Sequence, residues 1–411
     1  MTHAPLTYGQ KSVWRDIEHL PRARWHEANH ANLITLPAPR PLPEVQERLT
    51  ALERRHAALR TVLDLDDPEA PRQVVLEPRD VVALPLADPE DDELAATATG
   101  ARAVAFDLRQ DLPWRPVALA SRTSPGLVDR VLLTQHHMAF DAWAVGVVER
   151  ELRAPVLPTS PPPDLRTVAR EQQDDPVWAA RADALRRHVA QVYGGPVARW
   201  SGTDDAHGAH QVSLRSRQLL ASGRQAAVEL KVSLANVLVA AVVEALADKV
   251  GPGAVVAGLM SSNRFAARWS DLVTSMNQWV AVDAASRGEL DATALELQRR
   301  AMTAYRLGIY DVDVLRDLVR AHGVTGPSLL PTVNVNGFET DEEPDVPEHE
   351  PDGHVEHEAV FSRVGAPAYL RIVVTPASIC LRLRTTGIAV AAAERTLRDV
   401  HRIVTSRAPR A

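Results

Sequence analysis

The stretch QHHMAFDAW, residues 135–143, decides how the rest of this chain is interpreted. The apolar residues 131–133 precede it, and an apolar run that contains Val145, Val147 and Val148 at helical spacing follows it. This order predicts a buried strand, a short polar turn and then a helix. A turn of this kind beside a core places polar side chains where a cleft can form.

The polar residues of this turn are two adjacent histidines, His136 and His137, and a carboxylate, Asp141. Successive side chains of a strand point to opposite faces, so one imidazole is expected to line a cleft and the other to be structural. For the same reason the pair is a poor metal site. An imidazole in a cleft suits general base catalysis, since its pKa lies near neutrality. The alternative is that one histidine is a core residue and Asp141 only caps the following helix, and the spacing favours neither hypothesis.

Composition excludes several other classes of protein. A formal net charge of −7 argues against a nucleic-acid partner, and the one cysteine, Cys380, excludes a disulfide framework. The sequence contains no G-x-S-x-G elbow and no glycine-rich phosphate loop. His349, His354 and His357 lie in a strongly acidic stretch that we interpret as a solvated loop, so no metal site is expected.

The N-terminus lacks the basic start and apolar core of a signal peptide, and the apolar helix at residues 233–247 is too short to span a bilayer. We therefore expect a cytoplasmic protein with no membrane partner. With 411 residues, two domains are expected. The proline-rich stretch APVLPTSPPPDL, residues 154–165, is the best candidate linker, so we place the domains at residues 1–160 and 161–411. Helices and strands are mixed in both halves, which indicates an α/β (α+β) fold.

Several stretches together resemble a known family. HHMAFDAW is similar to the HHxxxDG signature of nonribosomal peptide synthetase condensation domains and of the wider chloramphenicol-acetyltransferase-like superfamily. Further similar stretches follow in the family's order: LTYGQKSVW (6–14), RHAALRTVL (55–63), FDLRQDLPWR (106–115), GLMSSNRFAARWSDLVTSMNQWVAV (258–282) and LPTVNVNGFE (330–339). The resemblance extends over essentially the whole chain.

The resemblance implies two acetyltransferase-like subdomains arranged as a V, the first of which carries the HHxxxD motif, with the active site at their junction. It implies no bound cofactor. The acyl group would arrive on the phosphopantetheine arm of a separate carrier protein, and a small-molecule amine or hydroxyl would accept it. Because adenylation motifs and a carrier serine motif are absent, we expect a free-standing condensation enzyme of natural-product (antibiotic-type secondary) metabolism, forming an amide or an ester.

The resemblance also implies roles for individual residues. His137 matches the catalytic or positioning imidazole, and His136 is its structural neighbour. Asp141 is expected to be structural, with Arg264 as its ion-pair partner. The residues expected to line the substrate site are Trp143, Asn277 and Gln278.

The chain departs from the family pattern at three places. Ala142 replaces the glycine after the aspartate, which strains the turn if φ must be positive and narrows the pocket if the site is only close-packed. The Phe-Val-Asn-Thr motif has become SMNQW (275–279), and the Gln-Asp-x-Pro-Phe-Glu motif is reduced to IYDVDVL (309–315). Two alternatives therefore stay open. One is a catalytically inactive docking or recruitment module, and the other is a CoA-dependent acyltransferase or an epimerase-like relative.

Overall fold

The computed structural model describes residues 2–90, 92–200, 208–323, 331–340, 351–360, 362 and 366–408. The chain divides into two compact units, one formed by Met1–Ala179 with Ser262–Asn277 and the other by Ala180–Ser261 with Gln278–Ala411. The mixed α/β fold agrees with the prediction. The boundaries differ from the predicted division at residue 160, because residues 161–179 and Ser262–Asn277 both lie in the first unit. We call Ser262–Asn277 the return segment.

The first unit is built around a mixed sheet with the strand order β2-β7-β6-β5 and an antiparallel sheet with the order β1-β4-β3. Its elements are β1 Thr2–Pro5, α1 Tyr8–Ile17, β2 Asn29–Arg40, α2 Leu42–Arg55, β3 Thr61–Asp64, β4 Arg72–Val75, β5 Leu86–Ala87, α3 Leu94–Ala103, β6 Trp114–Ala120, β7 Val128–His136, α4 Ala142–Arg153 and α5 Leu165–Asp174.

Strand β7 is the central element of this unit, paired antiparallel with β2 on one side and β6 on the other. Its second half is buried without alternation, which is the pattern of a strand covered on both faces. Val131 and Leu133 pack with residues of α2 and α4 in one apolar cluster. Met138, just beyond the strand, packs in another cluster with Trp14 and Phe106. The histidine pair therefore follows a strand that is fixed from every side.

The proline-rich stretch does not end the first unit. Helix α5 follows it, with Leu165, Val168 and Ala169 buried. Leu165 belongs to the same apolar cluster as the β7 residues, so the helix is part of this core. The predicted linker is consequently a connection within the first unit.

The second unit contains a sheet with the strand order β10-β9-β11-β13-β14-β8-β12. Its elements are α6 Pro176–Tyr193, which begins just before the division, β8 Ala209–Ser216, α7 Arg217–Leu230, α8 Leu234–Leu246, β9 Val255–Ser261, β10 Gln278–Ala284, α9 Leu290–Tyr305, α10 Val312–Ala321, β11 Val333–Glu339, β12 Val355–Glu358, β13 Ala368–Val374, β14 Ile379–Thr386 and α11 Val390–Thr405.

Helix α8 is the centre of the second unit's core, since nearly all of its residues are buried. Ser233 caps it as the sequence suggests, with its side chain accepting the backbone N–H of Asn236. Within the described ranges no single helix is long and apolar enough to cross a membrane. Helices α7 and α8 meet those criteria only when they are counted together, and they are bent by 105° at the break between them.

One local prediction is wrong. The acidic stretch 339–358, predicted to be a loop, ends in strand β12, which pairs antiparallel with β8. His349 lies outside the described residues, whereas His357 lies in β12, 2.8 Å from the Glu394 carboxylate.

Candidate active site

The backbone of the histidine pair is anchored on both sides. The N–H of His136 donates to the carbonyl of Pro113, just before β6, at 2.9 Å. The N–H of His137 donates to the carbonyl of Ala28, just before β2, also at 2.9 Å. The two neighbouring strands thus hold the end of β7 in place, and the alternation of the strand directs the two imidazoles differently.

The imidazole of His136 is a structural group. It is fully buried, and its Nδ1 accepts the N–H of Met138 at 3.1 Å. Its ring meets the ring of Phe106 edge to face, with the centroids 6.0 Å apart. Burial lowers the pKa of His136 to about 3, and positive charge on His137 and Arg115 acts in the same direction. His136 is therefore neutral at physiological pH and forms part of the wall of the turn.

The imidazole of His137 is half-buried, in contrast to that of its neighbour. Its Nδ1 lies 3.4 Å from the hydroxyl oxygen of Ser275, and its ring meets that of His30 edge to face at a centroid distance of 5.0 Å. Burial lowers the pKa of His137, and the negative charge of Asp141 is the largest opposing effect. The ring is thus neutral near pH 7 and carries one nitrogen that can accept a proton.

Asp141 both caps α4 and holds the return segment. Its Oδ1 accepts the N–H of Ala144 at 2.9 Å, which makes it the N-cap of the helix. Its Oδ2 accepts the backbone N–H groups of Met276 at 2.9 Å and Asn277 at 3.2 Å. The capping interpretation of Asp141 is correct, but capping is only one of its contacts.

Arg264 completes the environment of Asp141 with a bidentate ion pair. Its two terminal nitrogens lie 2.7 Å from Oδ2 and 3.0 Å from Oδ1, and both side chains are almost completely buried. The guanidinium also donates to the carbonyl of Thr274 at 2.9 Å and, at longer range, to those of Ser262 and Leu272. Each buried charge thus meets the other in good geometry, as buried ions require.

Ala142 is the first residue of α4 and is exposed. The described non-glycine residues with positive φ are Lys231 and Asn263, so Ala142 occupies ordinary backbone conformation. Alanine in place of glycine therefore causes no strain here. Trp143, with its side chain 46% exposed, donates its Nε1 hydrogen to the carbonyl of Ser270 in the return segment at 2.8 Å.

Asn277 and Gln278 are adjacent in sequence but differ in role. Asn277 is half-buried and accepts the Ser275 hydroxyl hydrogen at its Oδ1, 3.2 Å away. Gln278 is buried, and its side-chain amide bonds both the carbonyl (2.8 Å) and the N–H (3.3 Å) of Tyr310. The polar atoms of Gln278 hold the backbone at Tyr310, and its place in the lining of the substrate site stays a prediction.

The sequence did not single out His30 and Ser275, which both adjoin His137. His30 reaches it because β2 pairs with β7 in the register that sets His30 opposite Gln135, and a single sequence carries no signal for that register. Ser275 lies two residues before Asn277 in a loop that the sequence did indicate. Among the described residues, no group of three or more His, Cys, Asp or Glu side chains is placed to hold a metal ion.

This arrangement combines a neutral, half-buried imidazole with a rigid polar frame and, in the described part of the site, neither a serine elbow nor a cysteine beside the histidine. Such a group can take a proton from a nucleophile and return it to a leaving group. The geometry fits direct transfer between two bound reactants, in which positioning supplies much of the rate.

Comparison with known proteins agrees with the resemblance. Residues 2–156 match the family model described as the condensation domain. Over 159 residues the chain is 31% identical to phosphinothricin tripeptide synthetase PhsC of Streptomyces viridochromogenes, a match that covers 36% of this chain and 14% of that protein. The chain thus matches only a small part of that much longer relative.

Two solved structures share the fold over almost the whole chain. One describes condensation domain-mediated chain release from the enacyloxin polyketide synthase, with a TM-score of 0.76, 18% identity, and coverage of 100% of this chain and 84% of the other. The second is the complex of the X-domain and OxyB from teicoplanin biosynthesis, with a TM-score of 0.75, 16% identity, and coverage of 99% and 93%. In sequence, the match to the condensation-domain model covers residues 2–156, and in fold the chain resembles these solved structures over almost its whole length.

Proposed function

We propose that this protein is a condensation-type acyltransferase that joins a carrier-bound acyl thioester to an amine or, less often, a hydroxyl acceptor. The observation that carries the proposal is the state of His137, a half-buried imidazole whose pKa is lowered by burial. It is supported by the complete set of partners around Asp141, which a condensation site needs to keep the turn in shape.

In the proposed reaction the amine nitrogen attacks the thioester carbonyl carbon, so that a C–N bond forms and a tetrahedral intermediate carries the negative charge on oxygen. His137 accepts the proton that the nitrogen loses. Collapse of the intermediate breaks the C–S bond, and the thiol sulfur takes the proton back from His137. Proton transfer of this kind typically contributes about 10²–10⁴ to the rate, and the remainder comes from holding the reactants together.

The proposed partners follow from this chemistry. The donor would arrive on the phosphopantetheine arm of a carrier protein, as a substrate and not as a resident cofactor. The acceptor would be a small amine or alcohol, either unattached or held on a second carrier. The proposed context is natural-product biosynthesis of the nonribosomal peptide type.

The experiment offers the purified protein a panel of acyl-loaded carrier proteins with candidate amines and alcohols and follows the product by mass spectrometry. The wild-type protein is expected to form an amide or ester. His137→Ala is expected to form this product at a rate at least about 100-fold lower. Thr274→Val is the matched control, because its buried hydroxyl has no hydrogen-bond partner among the described residues. Unchanged turnover by His137→Ala excludes the proposed mechanism. Equal turnover with acyl-CoA in place of the carrier favours a CoA-dependent enzyme.

A second candidate function is a docking module without catalysis. Its support is the similarity in fold to the X-domain, which was solved in a complex with OxyB, together with SMNQW in place of the family's Phe-Val-Asn-Thr. Retained binding of carrier or tailoring proteins, with no product from any pair in the panel, is the result that favours this candidate.

A further inference from the structure

We propose that a cavity of about 370 Å³ in the first unit binds a small organic molecule through its carboxylate, with Arg60 as the main recognition group and the indole N–H of Trp114 as a second donor. The walls of this cavity come from Arg60 and from residues in the segments 76–79 and 110–115. None of the residues that contact His137 or Asp141 lines it, so it is a second site, and the proposal does not depend on the function proposed above.

Three arginines line this cavity, and two of them already have anionic partners. Arg79 holds the buried carboxylate of Glu53, with its Nε 2.9 Å from Oε2. Arg115 lies 3.0 Å from the carboxylate of Asp111 and also donates to two backbone carbonyls. Neither guanidinium needs a further anion.

Arg60 is the third arginine, and its donors are largely unused. Among the described residues it makes one hydrogen bond, from Nη1 to the carbonyl of Leu76 at 3.3 Å, and no ion pair. A guanidinium carries five N–H donors. Burial lowers the pKa of Arg60, and the negative charge of the exposed Glu77 offsets that effect only in part. A half-buried cation in this state is stabilised by an anion that accepts its N–H groups.

Trp114 gives a second, independent indication of an acceptor. Its side chain is only 3% exposed, and its Nε1 has no hydrogen-bond partner among the described residues. The buried Nε of Arg60 is without a partner in the same part of the chain. Both nitrogens can only donate, and a carboxylate offers two oxygens that can only accept. The chemistry of the lining therefore matches a carboxylate.

The charges and the apolar surface of the lining favour a monocarboxylate over a phosphate. Three guanidiniums and two carboxylates, those of Glu77 and Asp111, line the cavity and leave one positive charge in excess. A phosphate would bring a second negative charge towards these two carboxylates. Leu76 and Leu112 supply apolar surface for the hydrocarbon part of the ligand.

The cavity adjoins the strand end that anchors the histidine turn. Trp114 is the first residue of β6 and lies opposite Gln135 of β7. The carbonyl of Pro113, the residue before it, accepts the backbone N–H of His136 at 2.9 Å. A ligand held by Trp114 therefore contacts the segment that fixes the backbone of the histidine pair.

The experiment observes the indole N–H of Trp114 directly. The full chain is labelled with ¹⁵N-tryptophan, ¹H–¹⁵N spectra are recorded at pH 7, and the Trp114 signal is assigned from its loss in Trp114→Phe. Benzoate is the probe, benzamide is its neutral counterpart of similar shape, and inorganic phosphate is the alternative anion. Benzoate is expected to shift the Trp114 signal saturably, benzamide to leave it in place, and phosphate to bind more weakly than benzoate.

Two arginine variants test the recognition group. Arg60→Gln is expected to weaken benzoate binding at least about tenfold, because a charge-assisted hydrogen bond is lost. Arg54→Gln is the matched control, since Arg54 is an exposed arginine of α2 that does not line the cavity, and its affinity for benzoate should equal that of the wild type.

Four results overturn the proposal. They are a Trp114 signal that benzoate does not shift saturably, an equal shift with benzamide, tighter binding of phosphate than of benzoate, and unchanged affinity in a folded Arg60→Gln protein. The first three are measured on the wild type, so they decide the matter even where Arg60→Gln does not fold.

Discussion

His136 and His137 are adjacent in the chain, but their side chains differ in burial and in the groups that they contact. His136 is sealed beneath the turn and accepts a backbone hydrogen bond from Met138, which fixes the chain just beyond the strand. His137 is half-buried and meets Ser275 and His30. Burial removes water from both rings, and this desolvation lowers the pKa of His136 and the pKa of His137. At this scale the period-two geometry of a strand separates a fully buried imidazole from a half-buried one.

His136 predicts a loss of stability in acid. Its pKa of about 3 in the folded state lies below the ordinary 6.5, so between these values the unfolded chain binds a proton that the folded chain does not. Stability is complete above pH 6.5 and falls as the pH is lowered, by about 1.4 kcal/mol per pH unit from this group. His136→Asn, which keeps an acceptor for Met138, should flatten that slope. Urea unfolding between pH 7.5 and 4.5 measures it.

The control for this measurement is Phe106→Leu, which removes the ring that packs against His136 but no titrating group. We expect that variant to lower the free energy of unfolding by a similar amount at every pH. A wild-type slope no steeper than that of His136→Asn would contradict the prediction.

Breaking the buried ion pair of Asp141 with Arg264 is expected to destabilise the protein much more than breaking an exposed ion pair nearby. Arg264→Met leaves the buried Asp141 carboxylate without its counter-ion and should cost about 3–5 kcal/mol. Arg150 and Asp271 join the same two elements, α4 and the return segment, but both side chains are well exposed. Arg150→Ala should therefore cost no more than about 1 kcal/mol. Chemical denaturation of the two variants measures their free energies of unfolding. If Arg264→Met costs no more than about 1 kcal/mol, as expected for Arg150→Ala, the buried pair is not needed for stability.

At the scale of elements, α1 and the return segment approach so closely that their contact depends on one glycine. A Cβ on Gly9 would lie 2.3 Å from the carbonyl oxygen of Ser275 and 2.6 Å from Cα of Met276, and both are backbone atoms. Gly146, in contrast, is exposed on α4 with nothing within 4 Å of an added Cβ. Both glycines lie in helices of the first unit. Substitution by alanine is expected to lower stability at Gly9 and to raise it at Gly146.

Gly9→Ala should destabilise the protein by about 1–3 kcal/mol, because the return segment must move to admit the methyl group. Gly146→Ala should stabilise it by about 0.5–1 kcal/mol, since alanine loses less backbone freedom in a helix. Thermal unfolding of both variants checks the signs. Stabilisation by Gly9→Ala would mean that α1 and the return segment are not in close contact in solution.

Elements with a local pattern could be predicted from sequence, whereas those that depend on a distant partner could not. Helix α8 carries its own cap and a continuous apolar run, and strand β7 its own apolar run, so both were found. Strand β12 reads VEHE, and only its pairing with β8 makes it a strand. Gln278 was expected at the site because its loop resembles the family's asparagine-containing motif, and nothing local shows that its side chain bonds the backbone of Tyr310. The partner of Asp141 came from family resemblance, since 123 residues separate it from Arg264.

At the scale of the whole molecule, the first unit is not continuous in sequence. The chain leaves it after Ala179 and re-enters for Ser262–Asn277. That short return supplies Arg264 and the two amide donors of Asp141, together with the ring of Trp269 that stacks on Trp178 at a centroid distance of 6.3 Å. The turn that carries the histidines therefore depends on residues that are made long after it.

This dependence predicts that residues 1–179 alone are unstable. Without the return segment, the Asp141 carboxylate loses its counter-ion and two hydrogen bonds, a cost of about 3–5 kcal/mol out of the 5–15 kcal/mol of a typical domain. The matched control joins residues 262–277 to residue 179 through a flexible Gly/Ser linker of about 15 residues, whose mean reach is roughly 20 Å. Urea unfolding followed by tryptophan fluorescence should show a cooperative transition for the joined fragment and a weaker one, at lower urea concentration, for residues 1–179.

Asp141→Asn should narrow the difference in stability between the two fragments, because a neutral amide loses less than a carboxylate when Arg264 is absent. Identical transitions for the two fragments would mean that the first unit holds the histidine turn in place without the return segment.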